Sequence, residues 1–328
     1  MRPAARQAGR ARADTELVPR RLTSLATSVA ASVTAALALV AGFPVAASAG
    51  TTSCLPGGTT RCRVWTGTVV RVTDGDTLYV DVAGDGTATP RSIRLIDAQA
   101  MELSVHSAVR AKRRGDCHAL AATARLEQLI RAGGGIVRLT AQDPEAQSLG
   151  RPLRAVQVRI GGVWRDAGLD LVRRGLALWQ PWAGEWAWNA TYRTASQQAA
   201  AEGLNLFDTD ACGPGPDQPA QLSVDVDWQQ ELLHVTNGSP TAVAVGGWWV
   251  RDSGLRRFTF PARTVIPPGG TITVHVLGTG RTTATDMFWG LSAPIFDNPT
   301  GDEQAHGDGG YLFDPQGDLR AWMIYPSS

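Results

Sequence analysis

The sequence predicts two folded parts in succession, an α+β domain built on a five-stranded barrel and an all-β sandwich. Three observations carry this. Val64, Thr66, Thr68, Val70 and Val72 sit two apart, and Leu78, Val80 and Val82 resume the pattern after Asp74-Gly75-Asp76-Thr77, which reads as a hairpin. Further strand patterns are then interrupted by helical ones as far as Glu202. Beyond a Gly- and Pro-rich stretch at 213–219, short β-rich segments follow one another between turn signals.

The elements follow in chain order. Residues 1–49 read as an export signal: Arg2, Arg6, Arg10, Arg12, Arg20 and Arg21 precede an uncharged, mostly apolar run from Leu25 to Ala47, and Ala47-Ser48-Ala49 is a small-x-small cleavage site. The hairpin comes next. Ser92 to Asp97 is a third strand carrying Arg94, and Glu102 lies eight positions after that arginine. A basic run spans 110–114. Leu120, Ala124, Leu126, Leu129 and Ile130 predict a first helix over Asp116–Arg131, stopped by Gly133-Gly134-Gly135. Ile136–Ala141 and Leu153–Ile160 are the fourth and fifth strands, flanking a polar loop with Gly150-Arg151. Five strands interrupted by helices are what an OB-like barrel gives. A second helix is expected over Val163–Leu178 and a third over Gly184–Glu202, with Trp179, Trp182, Trp186 and Trp188 packing between helix and barrel. Asn189-Ala190-Thr191 is a glycosylation sequon placed on a helix, and so a chance match.

Charge and cysteines narrow the function. Removing residues 1–49 takes away six arginines and two acids and leaves a net charge of −3. A whole-molecule field that attracts polyanions is thereby excluded, and any phosphate binding is local. Cys54, Cys62, Cys117 and Cys212 all lie in the exported part and read as two disulfides. The turn-forming loop between Cys54 and Cys62 favours pairing these two, which leaves Cys117 with Cys212. Zinc at Cys117-His118 is the alternative, although the spacings match no zinc pattern.

Asp74-Gly75-Asp76-Thr77, Arg94, Glu102 and Gly150-Arg151, in that order and spacing, resemble the staphylococcal nuclease (thermonuclease) family, as does Leu171-Val172-Arg173-Arg174-Gly175-Leu176-Ala177. The resemblance covers about Val64 to Phe207. It implies an OB-type barrel with three helices and calcium-dependent hydrolysis of DNA or RNA, with little sequence specificity and 3′-phosphate products. Glu102 would be the general base or water-orienting group, and Arg94 and Arg151 would grip phosphate oxygens bidentately. Asp76 would ligate calcium directly and Asp74 through water. Gln99 stands where the family has a calcium-ligating Asp, so its carbonyl would bring an oxygen without a charge. Asp97 is placed to compensate only if the strand continues. Leu149 replaces an aromatic before Gly-Arg, which implies looser base preference.

The linker at 213–219 leads into a sandwich over 220–328, with strands expected at Leu222–Val226, Glu231–Thr236, Val243–Arg251, Arg257–Phe260 and Thr271–Leu277. Glu231 to Asn237, Gly246-Gly247-Trp248-Trp249-Val250-Arg251-Asp252, Phe260-Pro261 and Ile266-Pro267-Pro268-Gly269-Gly270 resemble the lamin-tail family, an immunoglobulin-like sandwich. His306, Asp308 and the Asp314–Asp318 segment offer a calcium site on paper, but Asp-Gly-Gly and Asp-Pro-Gln-Gly-Asp are more simply hairpin turns. The whole reads as an exported monomeric nuclease whose sandwich attaches to the cell envelope or to a protein. Two alternatives remain: a barrel that binds nucleic acid without cleaving it, and an envelope adhesion protein.

Overall fold

The computed structural model describes residues 50–103, 115–214, 220–254, 256–297 and 306–327. The expected export signal over 1–49, the basic run over 110–114 and positions 215–219 of the linker lie outside the described residues.

The first part is the barrel. Its strands are β1 (Gly50–Ser53), β2 (Arg61–Val72), β3 (Thr77–Val82), β4 (Arg91–Leu95), β5 (Asp97–Ala100), β6 (Ile136–Ala141), β7 (Gln147–Ser148), β8 (Arg151–Ile160), β9 (Val163–Asp166) and β10 (Ala177–Gln180). The order β2-β3-β4-β8-β6 closes through a β2–β6 pairing, so five strands form the ring. Long β2 serves both neighbours because it bends: its register shifts between Val69 and Arg71. That bulge turns Val70 outward at 57% exposed, although its spacing groups it with Val72, which packs on the core.

Three helices cover the barrel: α1 (Ala119–Ala132), α2 (Ala167–Arg173) and α3 (Asn189–Ala201). The helix expected over Val163–Leu178 is the main correction. Val163–Asp166 is instead a strand paired with Ile160–Gln157, α2 lasts seven residues, and Ala177–Gln180 returns as a strand against β5. Asp166 starts the helix by accepting the Leu169 amide at 3.2 Å, and Gly175 stops it at φ 63°, where an added Cβ would meet Leu204 O at 2.1 Å. Both expected disulfides form, Cys54–Cys62 and Cys117–Cys212. Trp179 and Trp188 are fully buried, as their packing role requires, and Asn189 is buried too.

The second part has β11 (Leu222–Asp227), β12 (Leu232–Asn237), β13 (Val243–Ala244), β14 (Trp249–Arg251), β15 (Arg257–Thr259), β16 (Val265–Ile266), β17 (Thr271–Leu277), β18 (Asp286–Leu291), β19 (Asp308–Phe313) and β20 (Leu319–Tyr325). Two four-stranded sheets, β11-β12-β17-β18 and β15-β14-β19-β20, face each other over a core of Val226, Leu233, Val250, Phe260, Val274 and Leu312. Asp308-Gly309-Gly310 is strand rather than the expected turn. A Cβ on Gly310 would lie 2.5 Å from Val226 Cγ2, so the glycine is there for close packing. Asp314–Asp318 is the turn before β20, with Asp314 Oδ1 accepting the amides of Gln316, Gly317 and Asp318.

The sandwich shares a core with the barrel. Tyr311, Phe313, Leu319 and Ile324 belong to the same apolar cluster as the barrel interior, and the Phe207 ring meets Trp322 edge-on at 5.2 Å. Gln197 on α3 donates to Pro326 O at 2.8 Å, and the Cys212 amide donates to Asp318 Oδ1 at 2.7 Å. The two parts are packed side by side.

Candidate functional site

The hairpin turn, the end of β4, the β5 segment and the start of β8 meet at one end of the barrel. Cross-strand pairing does this: Thr77 stands opposite Arg94, and Arg94 lies beside Leu153 of β8. Gly75 holds the turn close to the helical layer, since an added Cβ would lie 2.6 Å from both Ala100 Cβ and Ala122 Cβ. Close approach, and not the positive φ expected of Asp-Gly, is what this glycine supplies.

Asp76 is the centre of the polar network. Its Oδ1 receives Arg94 Nη1 at 2.9 Å and Thr77 Oγ1 at 2.9 Å, and its Oδ2 receives the Ala100 amide at 2.8 Å. Burial pushes its carboxyl up to about 7, Arg94 pulls the other way, and Asp74 adds to the rise. Asp74 Oδ1 accepts the Asp76 amide at 3.1 Å, an Asx turn that fixes the motif.

Arg94 is 3% exposed and committed inward: besides Asp76 it donates from Nη2 to Gln99 Oε1 at 2.5 Å and to Ala98 O at 3.3 Å. It does not present a fork to the surface. Arg151 does stand at the rim, half-buried, with Nη1 3.1 Å from Thr77 Oγ1 and Nε 3.3 Å from Ser148 O. Glu102 is exposed, and its carboxyl is raised by partial burial first and by Asp74 next, against the pull of Arg94. Leu149, at φ 50°, projects beside Arg151 at 87% exposed.

The expected calcium ligands do not fit a cation as they are arranged here. Both oxygens of Asp76 have protein donors, and the Gln99 carbonyl is held by Arg94 while its Nε2 donates to Ala100 O at 3.0 Å. Arg94 itself supplies the positive charge on Asp76. Asp97 does not substitute: it opens β5 at φ 53° and its carboxylate is buried in the interior, where Glu185 and Asp166 are its charged neighbours. Among the described residues the group able to share a metal is Cys117, His118 and Cys212, but the two sulfurs are bonded to each other and are not free thiolates. The calcium site weighed at His306, Asp308 and the 314–318 turn is likewise occupied: His306 Nε2 pairs with Asp297 at 2.8 Å, and Asp308 Oδ1 accepts from Ser253 and the Gly309 amide.

Sequence reasoning passed over two residues. Thr77 bridges Asp76 and Arg151, a role its place in Asp-Gly-Asp-Thr could have signalled. Arg251 of the sandwich lies against Met101, the residue before Glu102, with Nη1 3.9 Å from its Sδ, and no local pattern announces that contact.

Residues 211–327 match the family model of the Lamin Tail Domain. No curated protein matches the chain. The match covers the sandwich; no nuclease family model matches the barrel, a closed five-stranded ring with three helices.

Proposed function

We propose that the chain is an exported phosphodiesterase acting on DNA or RNA, with Glu102 and Arg151 as its reacting-side residues. An OB-like barrel joined to a lamin tail domain fits a nucleic-acid-binding or attachment protein, and hydrolysis is the further step proposed here. One observation supports it above the others: Asp74, Asp76, Thr77, Arg94 and Arg151, distant in sequence, are joined by hydrogen bonds and an ion pair at one end of the barrel, and the charges of Asp74 and Arg94 act on the Glu102 carboxyl. Two disulfides suit an oxidising compartment. Among the described residues no helix is long and apolar enough to cross a membrane.

The chemistry divides among these residues. Arg151 at the rim binds a phosphate oxygen, held to one orientation by Thr77 and the Ser148 carbonyl. Glu102, exposed and with its proton affinity raised, accepts a proton from an attacking water. Asp76 and Arg94 neutralise each other and fix the backbone on which the other two stand. The role expected of Arg94 as a phosphate grip passes to Arg151. No step is assigned to a metal.

The reading is tested on residues 50–328 with disulfides intact, using single- and double-stranded DNA and RNA with calcium, with magnesium and with chelator. Cleavage is expected, with a loss of at least about a hundredfold in Glu102→Gln. The chelator arm decides whether a cation takes part. No cleavage in any arm would overturn the hydrolase reading. The binding alternative has its own support in the inward commitment of Arg94, and it would then be judged by salt-sensitive binding that Arg151→Ala weakens.

A further inference from the structure

We infer that Arg71, held over Tyr79 on the outer face of the barrel, binds a nucleotide beside the phosphate that Arg151 holds, stacking on its base and donating to its phosphate. The inference rests on the reading of Arg151 as the phosphate-binding residue, and its ligand is a single strand of nucleic acid.

Strand β3 sets the place of this pair. Leu78 and Val80 are fully buried, so alternation turns Thr77 and Tyr79 to the opposite side of the strand, away from the barrel core. Thr77 lies opposite Arg94, and its Oγ1 is 3.1 Å from Arg151 Nη1. Tyr79, two residues on, lies between Ser92 of β4 and Arg71 of β2. The row Arg71–Tyr79–Ser92 therefore runs beside the row that Arg151 joins, about 7 Å away along the strand. At roughly 3.4 Å per nucleotide this separation is about two steps of stacked DNA, and fewer where the strand is extended.

A bulge brings Arg71 to this face. Val69 stands opposite Val80 and Val72 opposite Leu78, with the register shifting between Val69 and Arg71. Unbroken pairing from Val69 would set Val70 opposite Tyr79 and Arg71 opposite buried Leu78. The extra residue leaves apolar Val70 exposed and aims Arg71 outward, where its Cζ lies 3.9 Å from the centroid of the Tyr79 ring. Arg71 is exposed and Tyr79 half-buried. Among the described residues Arg71 forms no ion pair, although Asp81 stands on the same face beyond Tyr79. The guanidinium thus keeps its outer face and its donors for a ligand, in an orientation the ring already fixes. A planar cation suits a nucleotide on both counts, since bases stack on guanidinium planes and the N–H groups pair with phosphate oxygens. Asp81 repels a further phosphate on its side, which confines the subsite to the neighbourhood of Tyr79.

The test uses the full exported chain carrying Glu102→Gln, so that the probe is not cut, and follows binding of a short fluorescent oligothymidylate by anisotropy at low salt. Adding Arg71→Ala should raise Kd about fivefold or more, and Arg71→Lys, which keeps the charge without the plane, should restore it only in part. Tyr79→Leu should weaken binding as well, while Tyr79→Phe, which keeps the ring, should not. An abasic strand of the same length should lose less to Arg71→Ala than the oligothymidylate does. Arg263→Ala, an exposed arginine of the sandwich, is the charge control and should leave Kd within about twofold. In the chain with Glu102 intact, Arg71→Ala should raise KM for single-stranded DNA with kcat little changed. The inference is overturned if Arg71→Ala binds like its parent, if Arg263→Ala loses as much, if the abasic strand loses as much, or if the parent binds no oligothymidylate. Binding that depends on Arg71 in a chain that cleaves nothing would sink the hydrolase reading and leave the subsite standing. Cleavage that depends on Glu102, with both KM and Kd indifferent to Arg71, would do the reverse.

Discussion

Arg94 Nη1 and Asp76 Oδ1 lie 2.9 Å apart with their side chains 3% and 4% exposed, an ion pair joining β4 to the hairpin turn inside the barrel. Such a pair contributes little relative to apolar residues, but breaking it leaves one charge buried alone. Arg94→Ala should therefore cost about 3 to 5 kcal/mol in urea unfolding. Asp76→Asn with Arg94→Met should cost clearly less than the sum of the two single changes. Additive losses would show that the two groups are not coupled.

Asp97 carries the second prediction. It is fully buried at φ 53°, both oxygens lack hydrogen-bond partners among protein atoms, and burial followed by the charge of Glu185 raises its carboxyl well above the usual range. Glu185 is itself raised to about 7 by burial, against the pull of the Gln142 and Asp143 amides. A carboxyl raised in the folded state takes up protons more readily there than in the unfolded chain. Its stabilising effect is full below the unfolded value, near 4, and is lost as pH rises through the folded one. Stability should decline from about pH 4.5 to above pH 7 on account of Glu185. Asp97→Asn, which tolerates the left-handed conformation and carries no charge, should stabilise the protein at pH 8 and do so less at pH 5. Equal effects at both pH values would refute the account.

Gly75 gives a third. A methyl group there meets Ala100 and Ala122, so Gly75→Ala must push the turn off α1, at about 1 to 3 kcal/mol for overpacking. The displaced turn carries Asp74 and Asp76, so cleavage should fall further than stability alone explains. A variant that keeps full activity would show that the turn need not be held against the helix.

How much of this was legible follows from the range of the interactions. The hairpin, the fourth and fifth strands and the Cys54–Cys62 disulfide were readable because their determinants are local, namely alternation, an Asp-Gly turn and a short loop, and Cys117–Cys212 followed as the remaining pair. The helix assigned to 163–178 failed although its stop signals, Asp166 and Gly175, were in view, because apolar residues at Leu169, Val172 and Leu176 fit a helix on either side of the true ends. Asp308-Gly309-Gly310 was misread because glycine marks a turn and a crowded strand alike. In the site, the convergence of 76, 94 and 151 followed from strand order, whereas the commitment of Arg94 to the interior depended on which side chains lie above it. Arg251 stood in the lamin-tail motif, but nothing there signalled its contact with Met101, since 150 positions of chain separate the two.

The shared core makes the last prediction the strongest test of the arrangement. The sandwich covers Phe207 with Trp322 and places Tyr311, Phe313, Leu319 and Ile324 in the barrel's apolar cluster. Ending the chain at Cys212 would bare that surface, remove the Asp318 acceptor of the Cys212 amide and take Arg251 from Met101. The Cys117–Cys212 bridge, which spans 95 positions and contributes about 4 to 5 kcal/mol in the chain-entropy model, would keep such a fragment folded in part. Residues 50–212 should thus melt at lower temperature than the full chain and expose apolar surface to a fluorescent dye. Adding Cys117→Ser and Cys212→Ser should then abolish cooperative melting of the fragment, while the same pair in the full chain leaves a cooperative but lower transition. A fragment as stable as the full chain would mean that the sandwich rests on the barrel without supporting it.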